Sequence, residues 1–555
     1  MRQRVDATGP RYAHDEAVDF VVIGSGPAGG SVARELTRKG FGVVLLEQGR
    51  AIPATEMEHD EFGAFIAERW TNKSDTQPQT FRASVRDAAR RRQFVGYAMA
   101  VGGTSFHYTA NYWRFRPIDF HEFSVKGGVP GAALADWPIS YEELEPYYTA
   151  VEWAIGVSGD VSGAADEPAR SRPYPLPPLN ITGPGVLLAH GCQRLGWSSI
   201  PAPMAILSRD YQGRSACHNC GFCLAFPCEW GAKSGTNHTM VPEALRSGRC
   251  ELRSESYVRK IETDAAGRVT GVIYFDADRR EIFQRAKAVV LSANGAESPR
   301  LLLMSKSNRF PDGLANSSGM VGKHFMFNGA ALVRAEFPHE VNGHRGPVVT
   351  RISNQFYDLD PALGFIGGSG IDVRFDVPAI LTTLSLPRDE PQWGEAFKRR
   401  LKTWFTHSAL GYAHTTSLPV ASNSVSLDPV MKDAWGLPVI RTTFREHEHD
   451  LRLYRHMQGH VRTLLDAAGA TALHPQPISD DPGFTVHLLG TCRMGNDPRT
   501  SVVDRFHRAH DVPNLFIVDG SSFVTSGRGQ PTLTIQALAF RAADHIAQFA
   551  QRGEI

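Results

Sequence analysis

The chain has 555 residues, of which 42% are hydrophobic and 21% charged, and a formal net charge of +1. That length exceeds what one compact core accommodates, so two domains are expected, and the near-zero charge offers no basic field for nucleic acid or anionic lipid. No apolar run reaches the roughly 18 residues of a membrane-spanning helix, so no transmembrane segment is expected.

Residues 1–10 are polar and lack the apolar core of a secretory signal. They read as a disordered lead-in, and a cytoplasmic location is the default expectation. The segment Asp19-Phe20-Val21-Val22-Ile23-Gly24-Ser25-Gly26-Pro27-Ala28-Gly29 then reads as strand, glycine turn and helix, the helix spanning about 27–39. A second strand, Val43-Val44-Leu45-Leu46, ends on Glu47. Each glycine has its own task in a dinucleotide cradle. Gly24 permits the tight turn, Gly26 lets backbone approach a pyrophosphate, and Gly29 lets helix and strand pack closely. The pyrophosphate would lie at the helix N-terminus, where free N–H groups and the dipole favour negative charge. Glu47 would accept from ribose hydroxyls. The cradle alone does not choose between NAD and FAD.

Residues 51–140 are loop-rich and hold the stretch Val101-Gly102-Gly103-Thr104-Ser105-Phe106-His107-Tyr108. The segment 156–180 is rich in Gly, Pro, Ser and Ala and reads as a surface excursion or lid. A helix follows at 184–195. Four of the seven cysteines then fall together, at Cys217, Cys220, Cys223 and Cys228. Such close spacing suits thiolates around one metal centre, with free thiols or a local disulfide as the plain alternative. Cys192, Cys250 and Cys492 read as buried small hydrophobes. Alternating runs over 251–295, turning at Ala265-Ala266-Gly267, predict a β-meander returning to the nucleotide sheet.

From about 325 to 480 the alternation, including Ala330–Glu336 and Ser424–Asp428, predicts an antiparallel sheet with a helix over 446–468. The chain then offers His487-Leu488-Leu489-Gly490-Thr491-Cys492-Arg493-Met494, Asp519-Gly520-Ser521 and Gln530-Pro531-Thr532-Leu533-Thr534. The plain reading of His487 is a buried histidine bonded to a backbone carbonyl.

Taken in order, these segments resemble the glucose–methanol–choline (GMC) oxidoreductases over about residues 19–546. The resemblance implies an α/β fold: a Rossmann-type FAD-binding domain (GR2-like) over 17–325, an antiparallel-sheet α+β substrate domain over 326–480, and a return to the FAD domain over 481–555. It implies FAD held by Gly24, Gly26, Pro27, Ala28, Gly29, Glu47, Gln48, Gly102, Gly103, Thr104, Ser105, His107, Val258, Asp519, Gly520, Pro531 and Thr532. It also implies that an alcohol, of a sugar, glycoside or polyol, is oxidised with His487 as base. Simple, aryl and sterol alcohols, and the non-redox lyases of the family, are the alternatives.

Gln530 stands where the family places His or Asn as its second catalytic residue, so the sequence departs from the pattern there. His107 lies in a stretch similar to one that carries covalent flavin in pyranose oxidases, and is read here as a flavin-packing residue. Cys217, Cys223 and Cys228 are similar to the ligands of a [3Fe–4S] cluster in some family dehydrogenases. The last gap is one residue longer here, and Glu229 replaces a proline. Such enzymes pass electrons to a partner subunit or cytochrome, and export on a partner's signal is the alternative to a cytoplasmic location.

Overall fold

The computed structural model describes residues 11–162, 164, 167–375, 379–387 and 389–555. The expected lead-in at 1–10 lies outside them. Strand Val18–Ile23 pairs in parallel with Val43–Leu46 on one side and with Glu281–Leu291 on the other, Phe20 opposite Val43 and Ile23 opposite Leu291. All but Asp19 of its residues are buried. Such a near-continuous apolar run is what a parallel strand covered on both faces requires. Cys250–Arg253 extends the sheet beyond Val43–Leu46 in parallel, and Leu515–Ile517 adds in parallel to Glu281–Leu291.

Glu281–Leu291 changes partners along its length. Its first half lies antiparallel to Val269–Phe275, which is antiparallel in turn to Tyr257–Thr263. This is the meander expected from the alternation, and Gly267 makes its turn at φ +84. Burial follows the partner change: alternate residues are exposed through Lys287, and Ala288–Leu291 are sealed.

Helix Pro27–Arg38 carries proline in its first turn, where a missing N–H is harmless. It packs against Thr532–Gln551 and Met240–Arg246. The predicted helix at 184–195 is found as Gly183–Leu195.

A second sheet of six strands runs in the order Ala472–Pro475, Gly329–Glu336, Ser408–Thr415, Ser369–Arg374, Arg351–Ser353, Ile200–Pro201, with every pairing antiparallel. Helix Glu448–Ala467 covers one face with Leu453, Met457, Val461 and Leu464. That spacing lines one helical stripe against Val333, Ile371 and Ala413.

Two expectations are corrected here. Ser424–Lys432 does not join this sheet. With Pro438–Thr443 it forms a separate four-stranded sheet that includes Thr80–Arg82, in parallel, and Arg90–Arg91. Thr80 Oγ1 donates to Asp428 at 2.7 Å, and Phe81 enters a buried aromatic group with Phe94, Phe325, Phe327 and Phe444. Those long-range contacts, invisible to local alternation, decide the pairing. The segment 156–180 is no lid over its described residues, which leave out 163, 165 and 166. Ser158 bridges to Leu176 and Met204, and Tyr174 and Leu176 are buried. Its apolar anchors pull it onto the core despite its composition.

The turn after the first strand is tight at two glycines. Gly24 has φ +95, and a Cβ there would lie 2.4 Å from the Ser292 carbonyl oxygen. A Cβ on Gly29 would lie 1.9 Å from the Gly24 carbonyl oxygen. Gly29→Ala should therefore destabilise the protein by on the order of 3 kcal/mol through forced backbone displacement. The urea unfolding midpoint of the flavin-free variant measures this, and an unchanged midpoint would contradict the packing.

Candidate functional site

A cavity of ≈ 620 Å³ opens at the carboxyl ends of the parallel strands, a size within the roughly 300–1,000 Å³ of ligand pockets. Of the predicted cofactor residues, Gly24, Gly26, Pro27, Ala28, Glu47, Gln48, Gly103, Thr104, Ser105, His107, Val258, Asp519, Gly520, Pro531 and Thr532 line it. Gly29 and Gly102 stand behind the wall. Gly102, at φ +107, takes its place by donating its N–H to Ser25 Oγ at 2.9 Å.

Gly26 differs from its neighbours. A Cβ there would meet only the Gly103 Cα, at an ordinary 3.7 Å. The fold itself does not demand glycine at this position; the open side faces the cavity, where a bound group must approach backbone. Glu47 is buried and takes hydrogen bonds from Ser25 N–H at 3.0 Å, Ser25 Oγ at 2.7 Å and Gly49 N–H at 2.8 Å. Burial raises its pKa against these bonds. Oε1 accepts from the Gly49 N–H, and a carboxylate oxygen keeps capacity for a further donor such as a hydroxyl. Asp519 accepts from Asn294 N–H and Ser521 N–H, fixing the turn that follows Leu515–Ile517. Ser292 Oγ and His107 Nε2, both buried cavity atoms, have no hydrogen-bond partner among the described residues. Glycines without side-chain obstruction, a ribose-binding acid and unpartnered polar atoms along one cavity fit a dinucleotide such as FAD. Ser292 and Asn294 also line the cavity, just past the end of Glu281–Leu291, where no sequence motif marks them.

His487 reaches the same cavity wall from the C-terminal segment. Its N–H donates to Thr485 Oγ1 at 3.3 Å, which sets the backbone there. Part of the ring is open to the cavity and protein surrounds the rest. Burial, then the nearby charges of His414 and Arg374, lower its pKa to about 3. The imidazole is therefore neutral across physiological pH. His107 is likewise held neutral, with a pKa lowered to about 4 by burial and then by Lys233.

Gln530 is buried just behind Pro531, and its partners come from the antiparallel sheet. Its Nε2 lies 3.1 Å from His414 Nε2 and 3.2 Å from His414 Nδ1. His414 Nε2 lies 2.9 Å from Asp372 Oδ2, and Arg374 pairs with the same carboxylate. Register explains the grouping. Asp372 is paired with Tyr412, and Gly370 with His414, so residues two apart on adjacent strands share one face. Tyr412 stacks on His414 at 4.0 Å, and the Trp113 ring meets it edge-on at 5.3 Å. Gly370 and Gly529 make room for that indole, since a Cβ on either would come within 2.4 Å of it. Asp372, Arg374 and His414 were missed in the sequence, because strand positions carry no motif.

Arg528 fixes the approach to Gln530. It is fully buried, paired with Asp119 and with Glu122 at 2.5 Å. Asp119 also accepts from Tyr357 OH at 2.6 Å.

The cysteine loop lies against the cavity through Leu224 and Ala225. All seven cysteines are unpaired, so no local disulfide is present. Among the described residues no three His, Cys, Asp or Glu side chains gather to hold a metal ion. Lys233 lies within the loop. Its buried Nζ donates to the carbonyls of Tyr108, Cys223 and Phe226 at 2.7–2.9 Å. Holding those carbonyls inward shapes the loop around an ammonium group.

Residues 18–326 and 419–539 match the N- and C-terminal parts of the GMC oxidoreductase family. The chain belongs to this family. It is 36% identical to 2-methyl-1,2-propanediol dehydrogenase of Mycolicibacterium austroafricanum over 96% of each chain. It is 30% identical to the fructose dehydrogenase large subunit of Gluconobacter japonicus, over 97% of this chain and 99% of that one. Among solved structures, formate oxidase of Aspergillus oryzae RIB40 shares the fold at a TM-score of 0.68 and 15% identity, over 98% of this chain and 100% of that one. As a GMC flavoprotein the chain is an oxidoreductase that acts on an alcohol group with FAD as cofactor. No helix among the described residues is long and apolar enough to cross a membrane.

In this GMC oxidoreductase Gly26→Val should leave a folded protein with little bound FAD, measured as flavin absorbance per chain beside a thermal melt. Normal flavin content would refute the cradle. A second expectation concerns acid. His107, His238, His324, His487 and His507 are all held neutral by burial, their pKa values lowered to about 3 or 4. Below about pH 6.5 the unfolded chain binds protons that the folded chain refuses, so stability falls as pH drops from 6.5 towards 4. The melting temperature of the holoprotein should be lower at pH 5 than at pH 7, and a flat profile would count against neutral burial.

Proposed function

We propose that this protein oxidises an alcohol group of a polyol, sugar or glycoside to a carbonyl. The observation that carries this reading is the place of His487 in the wall of the glycine-lined cavity, which Pro531 and Thr532 also line. FAD bound there supplies the acceptor for the hydride leaving the carbinol carbon. His487 takes the hydroxyl proton at a ring nitrogen as the C–H bond breaks, so that one proton and one hydride leave and a C=O bond forms. Gly24, Gly26 and Gly103 give the cofactor backbone access, Glu47 receives its ribose hydroxyls, and Asp519 and Gly520 shape the turn beside it. Gln530 aligns the substrate. The polyol or sugar class is supported by the relatives named for 2-methyl-1,2-propanediol and fructose. The latter is by name a large subunit, and an electron-accepting partner chain is the acceptor we propose. No iron–sulfur route is proposed, because the cysteine loop lacks a metal-holding arrangement among the described residues.

Anaerobic titration with polyols, sugars and simple alcohols should bleach the flavin band with one class. His487→Ala should keep its FAD and slow that bleaching roughly 10²- to 10⁴-fold. Undiminished bleaching in this variant would remove His487 from the chemistry.

A further inference from the structure

Lys233 is 3% exposed, and its Nζ donates to the carbonyl oxygens of Tyr108 at 2.8 Å, Cys223 at 2.9 Å and Phe226 at 2.7 Å. A neutral amine has two N–H bonds, and an ammonium has three. Three carbonyl acceptors therefore call for the charged form, although burial lowers the lysine pKa. All three donors go to carbonyls, so none is left for a carboxylate. The side chains around the ammonium do little to offset it. Burial raises the thiol pKa of Cys217, Cys220 and Cys223, which stay uncharged. His107 and His238 are held neutral. Arg214 adds charge of the same sign, donating to Ser234 Oγ and to the Gly231 and Ile155 carbonyls. Against these two cations the pocket beside Lys233 holds one carboxylate, Glu229, whose Oε2 lies 3.1 Å from His59 Nε2. The cluster keeps a net positive charge.

That charge stands directly behind the cofactor cavity. Tyr108 lines the cavity itself, and Cys223 and Phe226 flank the lining residues Leu224 and Ala225. The ammonium is felt at this wall: after burial, it is the next cause of the lowered pKa of His107, which also lines the cavity. Glu47 sets the adenosine end and Gly26 with Gly103 the pyrophosphate. The chain continuing from Gly103 through His107, Tyr108 and Thr109 lines what is left for the flavin ring. A flavin that takes hydride gains two electrons and one proton, so its ring becomes an anion with the charge centred on N1. A fixed cation nearby favours that anion over the uncharged oxidised ring. We propose that Lys233 is an electrostatic tuning residue, whose ammonium, caged by three carbonyls behind the cavity wall, raises the reduction potential of the bound FAD and keeps the reduced flavin anionic. It does so without touching flavin or substrate. This concerns the cofactor alone and holds whichever alcohol is oxidised.

The test is the midpoint potential of FAD in the holoprotein, read against a reference dye during dithionite reduction with no alcohol present. Unit charges several ångströms apart at an effective dielectric near 20 shift an equilibrium by roughly 10- to 100-fold. Lys233→Gln keeps two N–H donors for the carbonyls and removes the charge. It should lower the potential by that factor, about 30–60 mV for a two-electron couple. Lys233→Arg keeps the charge and should hold the potential near the wild-type value. An unchanged potential in Lys233→Gln would overturn the inference, as would a fall in Lys233→Arg as large as in Lys233→Gln. FAD content and melting temperature identify a variant that has lost its fold, and the wild type then decides alone. Its reduced flavin should keep the anionic absorbance spectrum to lower pH than free reduced FAD does. Protonation at the same pH as free reduced FAD, or above it, would overturn the inference. A flavin that no alcohol or sugar reduces would instead overturn the alcohol-oxidation reading and not this one.

Discussion

The structure depends on one strand that serves two ends of the chain. Glu281–Leu291 pairs with Val18–Ile23 on one edge and with Leu515–Ile517 on the other, so the glycine turn and the Asp519 turn emerge side by side. Closing so long a loop is less prohibitive than its length suggests, because closure entropy grows only logarithmically with length. What offsets it is the sealed apolar face of Ala288–Leu291 against Val21, Val22 and Phe516. If that register slipped by one residue, apolar side chains would turn to the wrong face and the two turns would no longer border one cavity.

The second sheet meets the C-terminal segment at Gln530, by a different route. Its strands alternate strictly, so one face packs on Glu448–Ala467 while the other carries Asp372, Arg374, Tyr412 and His414 towards Gln530 and His487. Two different surfaces thus meet near the C-terminal segment: a cavity wall built from backbone and glycine, and a rigid plate of charged and aromatic side chains.

What the sequence revealed followed the range of the signal. Gly24, Gly26, Gly29 and Glu47 were legible because strand, turn, helix and acid are contiguous, and their physical tasks follow from spacing. His487 was legible through a longer motif. Gln530 was legible as a departure, whereas its partners were not, since Asp372 and His414 belong to different strands joined by backbone pairing that no local pattern encodes. The sheet holding Ser424–Lys432 was misassigned for the same reason: its partner Thr80–Arg82 lies far away in the chain. The cysteine spacing describes sulfur positions along the chain and says nothing of Lys233, whose ammonium draws the loop's carbonyls inward.

The ion pairs of Arg528 have a consequence for how this enzyme can change. A guanidinium sealed between Asp119 and Glu122 cannot shift without leaving a charge stranded in apolar surroundings, a change costing about 3–5 kcal/mol. Gln530 is only two residues further on, so its place is surveyed from a short helical stretch in the first quarter of the chain. Drift at Asp119 or Glu122 is therefore felt at Gln530, although both acids precede it by hundreds of residues of chain. Side chains on the rigid plate are freer to change than the loop that faces it.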